Sequence, residues 1–363
     1  MKAPDDRPIL ITGGAGFIGS NLADRLAGEG YHVIVYDVLS RAGVKRNLAW
    51  LKSRHGTRIQ SVVADVRDAA LLADAARGVA AIFHMAAQVA VTTSLDDPRE
   101  DFDVNVGATF NLLEAVRRAE RPVPLIFAST NKVYGNLADL EFASTSRGYL
   151  PVNALIRANG IGEHRPLEFH TPYGCSKGAA DQYVLDYARS FGLPAAVLRM
   201  SCIYGERQMG TEDQGWVAHF LIQAIEGRQI TLYGDGHQVR DVLHVGDAVD
   251  AYVAAWRGVD RVAGHAFNLG GGPENAVSLR TLINHIGALL GTEPDIRYDH
   301  WRAGDQRYFV ADTRAARAAL DLGTPMPWRD GVARLARWLA SERGFDINPG
   351  EPHPMAMPQV SAL

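Results

Sequence analysis

The sequence predicts an α/β fold, a doubly wound parallel sheet followed by a smaller, mixed C-terminal lobe. Three observations carry that expectation. Short apolar runs in PILIT, at 33–36, 59–64, 81–85 and 125–128 alternate with stretches of helical period. Glycines 13, 16 and 19 stand between the first strand and the first helix. Beyond residue 200 the rhythm loosens into polar segments, GDGHQVRDV, NLGGGPENAVS and YDHWRAGDQRYFVAD, separated by short strands and helices.

Taken in order, PILIT reads as a buried strand, and Phe17, Ile18, Leu22 and Leu26 recur at helical spacing after it. Val33-Ile34-Val35-Tyr36 is a second buried strand that ends at Asp37. Val104, Leu112, Leu113 and Val116 mark one helix over about 99–118, and a further helix runs over 173–191. GLPAAVLRM supplies the next strand. Strands alternating with helices imply parallel pairing through right-handed crossovers. The expected division is a nucleotide-binding domain over 1–200 with an insertion at 136–170, a ligand-binding lobe over 201–345, and a loose tail over 346–363 with four prolines. No internal repeat is present.

Composition excludes several classes of function. The chain has 363 residues, 47% hydrophobic and 21% charged, enough for a sizeable core. A net charge of -4 gives no basic face for nucleic acid. Cys175 and Cys202 alone make neither a disulfide framework nor a zinc cluster, and no metal site is expected. The start, MKAPDDRP, lacks the apolar core of a signal peptide. The most apolar window, 69–91, is broken by Asp74, Arg77 and His84, so no membrane span is expected. A cytoplasmic, reducing compartment is the resulting expectation.

Gly13, Gly16 and Gly19 leave room for backbone N–H groups and a helix N-terminus, opened by Phe17 and Ile18, to approach a pyrophosphate. Asp37, 18 residues beyond Gly19, can accept from both ribose hydroxyls and would repel a 2′-phosphate. This is the pattern of Rossmann-type dinucleotide sites, and it favours NAD over NADP, with Arg41 close enough to matter to that choice. Asp65-Val66 reads either as an adenine contact or as a helix N-cap. His84 reads as a satisfied structural histidine, and Ala86 as a small residue that lets a cofactor approach. Tyr173 and Lys177, four apart, share a helix face. An ammonium there would lower the phenol pKa, fitting it to exchange a proton with a sugar hydroxyl. Lys177 can also hold the nicotinamide ribose. Ser129 and Thr130 end a strand at the ligand edge, with Thr130 placed to orient the substrate and share its proton.

These segments resemble the extended short-chain dehydrogenase/reductase family of nucleotide-sugar enzymes over about residues 8–340. The Thr12-to-Gly19 loop, Ser129-Thr130, the Tyr173/Lys177 pair, NVGATFNLLEA, YGERQ and RDVLHVGDA stand where that family places them. The resemblance implies an NAD-binding N-terminal domain, a nucleoside-diphosphate-sugar partner, and substrate contacts from Ser129, Asn131, Arg207, Arg240 and Arg307. It also implies a homodimer built through the helices at 99–118 and 173–191. Dehydratases of the family place an Asp and a Glu directly after the threonine, where this chain has Asn131 and Lys132. Water elimination is thereby disfavoured, and oxidation with re-reduction at one carbon is expected. STNKVYG, SRAGVKRNLAWL, FHTPYGCSKGAADQYVLDYARSFGL and DQRYFVAD are similar to segments of the CDP-tyvelose (CDP-paratose) 2-epimerase subgroup, which favours a CDP-sugar and carbon 2. The 38 residues between Tyr134 and Tyr173 fit that subgroup and are expected to form a lid or binding loop. Epimerisation at carbon 4 needs the same three catalytic residues and stays open. A regulator that binds NAD without catalysis is the more distant alternative.

Overall fold

The computed structural model describes residues 6–302 and 304–345. The chain opens with β1 (Ile9–Thr12), α1 (Phe17–Gly28), β2 (Val33–Tyr36), α2 (Val44–His55), β3 (Ile59–Val62), α3 (Ala69–Ala75) and β4 (Ala81–His84). It continues through α4 (Val91–Asp96), α5 (Pro98–Phe102), α6 (Ala108–Arg117) and β5 (Leu125–Thr130). Next come the hairpin β6 (Phe142–Thr145) and β7 (Gly148–Pro151), α7 (Ala154–Asn159), α8 (Thr171–Phe191), β8 (Ala195–Met200) and β9 (Cys202–Tyr204). The remainder is α9 (Trp216–Ile225), β10 (Ile230–Tyr233), β11 (Val239–His244), α10 (Val245–Arg257), α11 (Val259–Val262), β12 (Ala266–Leu269), β13 (Ala276–Ser278), α12 (Leu279–Leu290), β14 (Ile296–Asp299), β15 (Tyr308–Phe309), α13 (Arg314–Leu320) and α14 (Trp328–Arg343).

Seven strands form one sheet in the order β12-β8-β5-β4-β1-β2-β3, and every pair in it is parallel. Its strands are near-continuously apolar because both faces are covered. Leu22 and Leu26 of α1, Leu48 and Leu51 of α2 and Val249 and Tyr252 of α10 pack on one face. Leu72 of α3, Leu112, Leu113 and Val116 of α6 and Val184 of α8 pack on the other. The chain reverses direction across the sheet between β1 and β4, which opens a crevice at their C-terminal ends.

Three expectations are corrected by this topology. Residues beyond 200 are not confined to the second lobe: α10 and β12 return to the seven-stranded sheet, with β12 on β8. The single helix over 99–118 is broken into α5, a π-helical turn at Asp103–Gly107 and α6. The extra residue turns the Asn105 side chain inward, and such turns recur at functional sites. The 136–170 insertion does not form a lid, for none of its residues lines the crevice. It instead pairs with segments of the second lobe, through Tyr149 N–H to His237 O (2.9 Å), Ile161 N–H to Val310 O (2.7 Å) and Asp312 N–H to Ile161 O (2.9 Å).

The second lobe pairs β10 with β14 and gathers β9, β13 and β15 around β11. Its core is apolar side chains of α9, α12 and α14, among them Phe220, Leu221, Ile286, Leu335 and Leu339. Truncating one such fully buried leucine to alanine costs about 2–5 kcal/mol. Among the described residues no helix is long and apolar enough to cross a membrane, and no group of acidic, histidine and cysteine side chains has the arrangement of a metal site. The expected loose tail at 346–363 falls outside the described residues.

Candidate active site

A cavity of about 830 Å³ runs from the glycine loop, past the tips of β4 and β5, to α9 and β10. Gly13 has φ 67°, and a Cβ there would lie 2.8 Å from the Ala86 nitrogen, while one at Gly19 would collide with the Gly13 carbonyl oxygen. Both glycines are therefore required where the loop packs between α1 and β4. Gly16 precedes Phe17, Ile18 and Gly19, whose N–H groups open α1 without carbonyl partners in the helix. This cradle fits an anionic pyrophosphate.

Asp37 lines the cavity and is held in place by two N–H groups, Ala15 to Oδ2 at 3.1 Å and Leu39 to Oδ1 at 2.8 Å. Each oxygen keeps a free lone pair for a ribose hydroxyl. Asp65 and Val66 also line the cavity. The N-cap of α3 is Asp68, which accepts from Ala70 and Leu71, so the cap reading of Asp65 falls away. Asp65 is paired with Arg67, whose hydrogen bonds hold its carboxyl below the ordinary range. Arg41 crosses the cavity, donating to Gln214 Oε1 (2.8 Å) and the Ala87 carbonyl (3.3 Å). His84 is buried between the Thr12 and Thr109 hydroxyls, at 2.6 and 3.0 Å. Burial, with help from the Lys177 charge, pushes it down to about 3, and it is a neutral structural histidine.

The tip of β5 and the first three turns of α8 meet residue by residue. The Thr130 hydroxyl faces the Tyr173 phenol and acts to lower its pKa. Lys177 Nζ donates to the Ala128 carbonyl at 2.7 Å and sits 4.2 Å from the centre of the Phe127 ring. Asp181 accepts from Ser129 Oγ at 2.7 Å. The spacing of 173, 177 and 181 puts all three on one helix face. Burial lowers the Lys177 pKa to about 7, against the opposing charges of Asp181 and Asp101. The Tyr173 phenol departs from expectation: burial raises it above its ordinary value, opposed by the Thr130 hydroxyl and the Arg41 charge. Lys177 does not lower it here because its ammonium turns to the Ala128 carbonyl.

The expected substrate contacts divide. Ser129 lines the cavity, but its hydroxyl is taken by Asp181, which Arg199 grips at 2.9 Å through both Nε and Nη2. Asn131 lines the cavity and donates to Gln306 Oε1 at 3.3 Å. Lys132 Nζ donates to the Gly304 carbonyl at 2.8 Å, and burial next to Arg240 lowers its pKa to about 8. Arg240 lines the cavity and holds Asp305 Oδ1 (3.1 Å) and the Gln306 carbonyl (2.6 Å). Two arginines are not brought to it. Arg307 stacks on Tyr149, 5.5 Å from the ring centre, and Arg207 lies between the Trp50 and Trp338 rings at 3.9 and 5.4 Å.

In their place the structure supplies Arg302, which lines the cavity, stacks 3.6 Å from the Tyr233 ring centre and donates to the Glu212 carbonyl. Arg302 and Arg307 share the segment HWRAGDQRYF, so sequence marked the segment but not the arginine. Asn105, singled out only as part of NVGATFNLLEA, accepts from Gln88 N–H (3.0 Å) and donates toward Gln88 O, Asp101 and Ser176. Cys202 lines the cavity as a neutral thiol, raised by burial and accepting from Trp216 Nε1 at 3.3 Å.

Chemically, a phenol and a hydroxyl stand at one end of a dinucleotide cradle, with the buried Lys177 amine, its pKa near neutrality, one helical turn from the phenol. Such a set can move a proton on and off a hydroxyl beside a hydride acceptor. Comparison with known proteins agrees. Residues 9–270 match the NAD dependent epimerase/dehydratase family. The chain is 43% identical over 345 residues to CDP-paratose 2-epimerase of Salmonella typhi, covering 92% of this chain and 99% of that protein. It is 31% identical over 333 residues to a putative UDP-glucose 4-epimerase of Methanocaldococcus jannaschii, covering 91% and 98%. The Thermus thermophilus UDP-glucose 4-epimerase solved with NAD superposes with a TM-score of 0.77 at 29% identity, over 92% of this chain and 98% of that one. The chain belongs to the NAD dependent epimerase/dehydratase family, and its cofactor is NAD.

Proposed function

We propose that this enzyme inverts carbon 2 of a CDP-sugar, in the manner of CDP-paratose to CDP-tyvelose, by transient oxidation and re-reduction. The observation that carries this reading is the β5 tip. Thr130 meets Tyr173, and the next two side chains are an amide and an ammonium rather than the two carboxylates of a dehydratase. Gly13, Gly16, Phe17, Ile18, Gly19, Asp37, Asp65, Val66 and Ala86 would hold NAD, which when bound would supply the hydride acceptor and donor for inversion of the sugar carbon. Tyr173 removes the hydroxyl proton and gives it back. Thr130 orients that hydroxyl, and Lys177 would hold the nicotinamide ribose. Asn131, Arg240 and Arg302 hold the sugar and diphosphate from the far wall, where a planar guanidinium matches phosphate oxygens. The 43% identity to CDP-paratose 2-epimerase over nearly the whole chain supports the choice of carbon 2 and of cytidine.

Carbon 4 is the second reading, favoured by the likeness to the UDP-glucose 4-epimerase of Methanocaldococcus jannaschii. Incubating the as-purified protein with CDP-paratose and with UDP-glucose, without added cofactor, separates the two by proton NMR. Inversion at carbon 2 of the CDP-sugar is the expected result. Inversion at carbon 4 of UDP-glucose moves the assignment to that carbon, and a keto-deoxy product refutes the reading of Asn131 and Lys132. The protein is further read as a cytoplasmic homodimer. Exposed Phe102, Phe110, Tyr183 and Phe191 on α5, α6 and α8, with the Phe110 and Tyr183 rings 5.8 Å apart, support that assembly, as exposed apolar patches mark interaction surfaces.

A further inference from the structure

Two buried aspartates flank Lys177, and they are satisfied in different ways. Asp181 is saturated by Ser129, by both arms of Arg199 and by Gln182 Nε2 at 2.9 Å. A carboxylate in a guanidinium fork shares its charge with a cation of its own. Asp101 on α5 is equally inaccessible to solvent. Only its Oδ1 takes a donor, Asn105 Nδ2 at 3.2 Å, while Oδ2 has no hydrogen-bond partner among the described residues. The Asn105 amide also reaches Ser176 Oγ at 3.0 Å, and Ser176 donates to the Tyr173 carbonyl at 3.2 Å. Asp101 is thus joined to the first turn of α8, between Tyr173 and Lys177. Its charge raises the pKa of both groups, and burial raises its own against the Ser176 hydroxyl and the Lys177 charge.

We propose, resting on the roles assigned to Tyr173 and Lys177 above, that Asp101 is a positioning residue for the reaction, a buried carboxylate faced by the Lys177 ammonium instead of a guanidinium, which sets the charge shared by the tyrosine and the lysine. A buried carboxylate is costly unless it is paired. A residue serving only to tie α5 to α8 would do as well as asparagine. The other groups facing the pair leave Asp101 this task. Tyr173 is faced by Thr130 of β5 and by Arg41 of the β2–α2 loop. Lys177 is faced by the neutral His84 of β4, the Phe127 ring and Ala128 carbonyl of β5, and Asp181 on its own helix. Asp101 is the anion that acts on both.

An anion raises the pKa of a phenol and of an ammonium alike, so its removal lowers both. Asp101→Asn is near-isosteric and keeps an oxygen for the Asn105 amide. The chain has five lysines, so protein labelled with ¹³C at lysine Cε gives few signals, and Lys177→Arg assigns the relevant one. The Lys177 titration midpoint is expected to fall by roughly 0.5–1 pH unit in Asp101→Asn, with Lys132 unmoved as the internal control. The acid limb of the kcat/KM profile should move down with it. Coincident Lys177 titrations in the two proteins, with only a lower Tm in the variant, would overturn the proposal and leave Asp101 a structural residue. The titration needs no sugar, so it stands apart from whether carbon 2 is the carbon inverted. Should Asp101→Asn not fold, Asp101→Ser carries the same expectation.

Discussion

At the scale of single residues, the site depends on which atoms remain free once the fold has satisfied the rest. Ser129 and Thr130 are adjacent hydroxyls, yet strand alternation sends them to opposite sides. Ser129 goes to the buried Asp181–Arg199 pair, and Thr130 to the cavity and Tyr173. Tyr173 is raised by burial, so its proton must be drawn off in the assembled complex by positive charge placed beside it. Replacing it with phenylalanine removes the one group placed to exchange that proton. Tyr173→Phe is expected to lower kcat by about 10²–10⁴-fold with little change in KM, read by initial rates of product formation. A wild-type rate in that variant would remove Tyr173 from the mechanism.

At the scale of elements, the β1–α1 loop and the β5–α8 contact each explain a motif. The glycine loop is defined by close packing more than by flexibility. Gly19, inside α1, leaves no space for a methyl group against the Gly13 carbonyl. Gly19→Ala must push α1 away from the loop and shift the N–H groups that face the pyrophosphate. The expected outcome is a protein purified with much less NAD, its affinity down by roughly 10-fold or more, equivalent to a loss of about 1.4 kcal/mol. Cofactor content by absorbance after gel filtration checks it, and full occupancy would contradict the cradle. In the second contact, Tyr173, Lys177 and Asp181 reach Thr130, Ala128 and Ser129, so one helix face holds a three-residue strand tip. A Tyr-x-x-x-Lys spacing is common, and the strand opposite gives it a function here.

At the scale of the whole molecule, α5, α6 and α8, the last carrying Tyr173 and Lys177, leave Phe102, Phe110, Tyr183 and Phe191 exposed. If a second copy covers them, Phe110→Glu together with Phe191→Glu should halve the sedimenting mass and leave the fold intact by circular dichroism. An unchanged mass would place the interface elsewhere. The sequence by itself determined what depends on near neighbours in the chain: the alternation of strands and helices, the glycine loop, Asp37 at the end of β2, and Tyr173 and Lys177 on one face. Period and local turn chemistry carry that information, because the residues involved lie within a strand or a few helical turns. Tertiary structure alone decided the rest. It chose Arg302 over Arg307 and Arg207 for the cavity wall, and turned Ser129 inward. It paired the insertion with the second lobe, returned β12 to the first sheet, and set Asp101 beside Lys177. Those outcomes depend on packing between segments tens to hundreds of residues apart, where no period in the sequence records which side chain reaches the cavity and which is spent holding the fold.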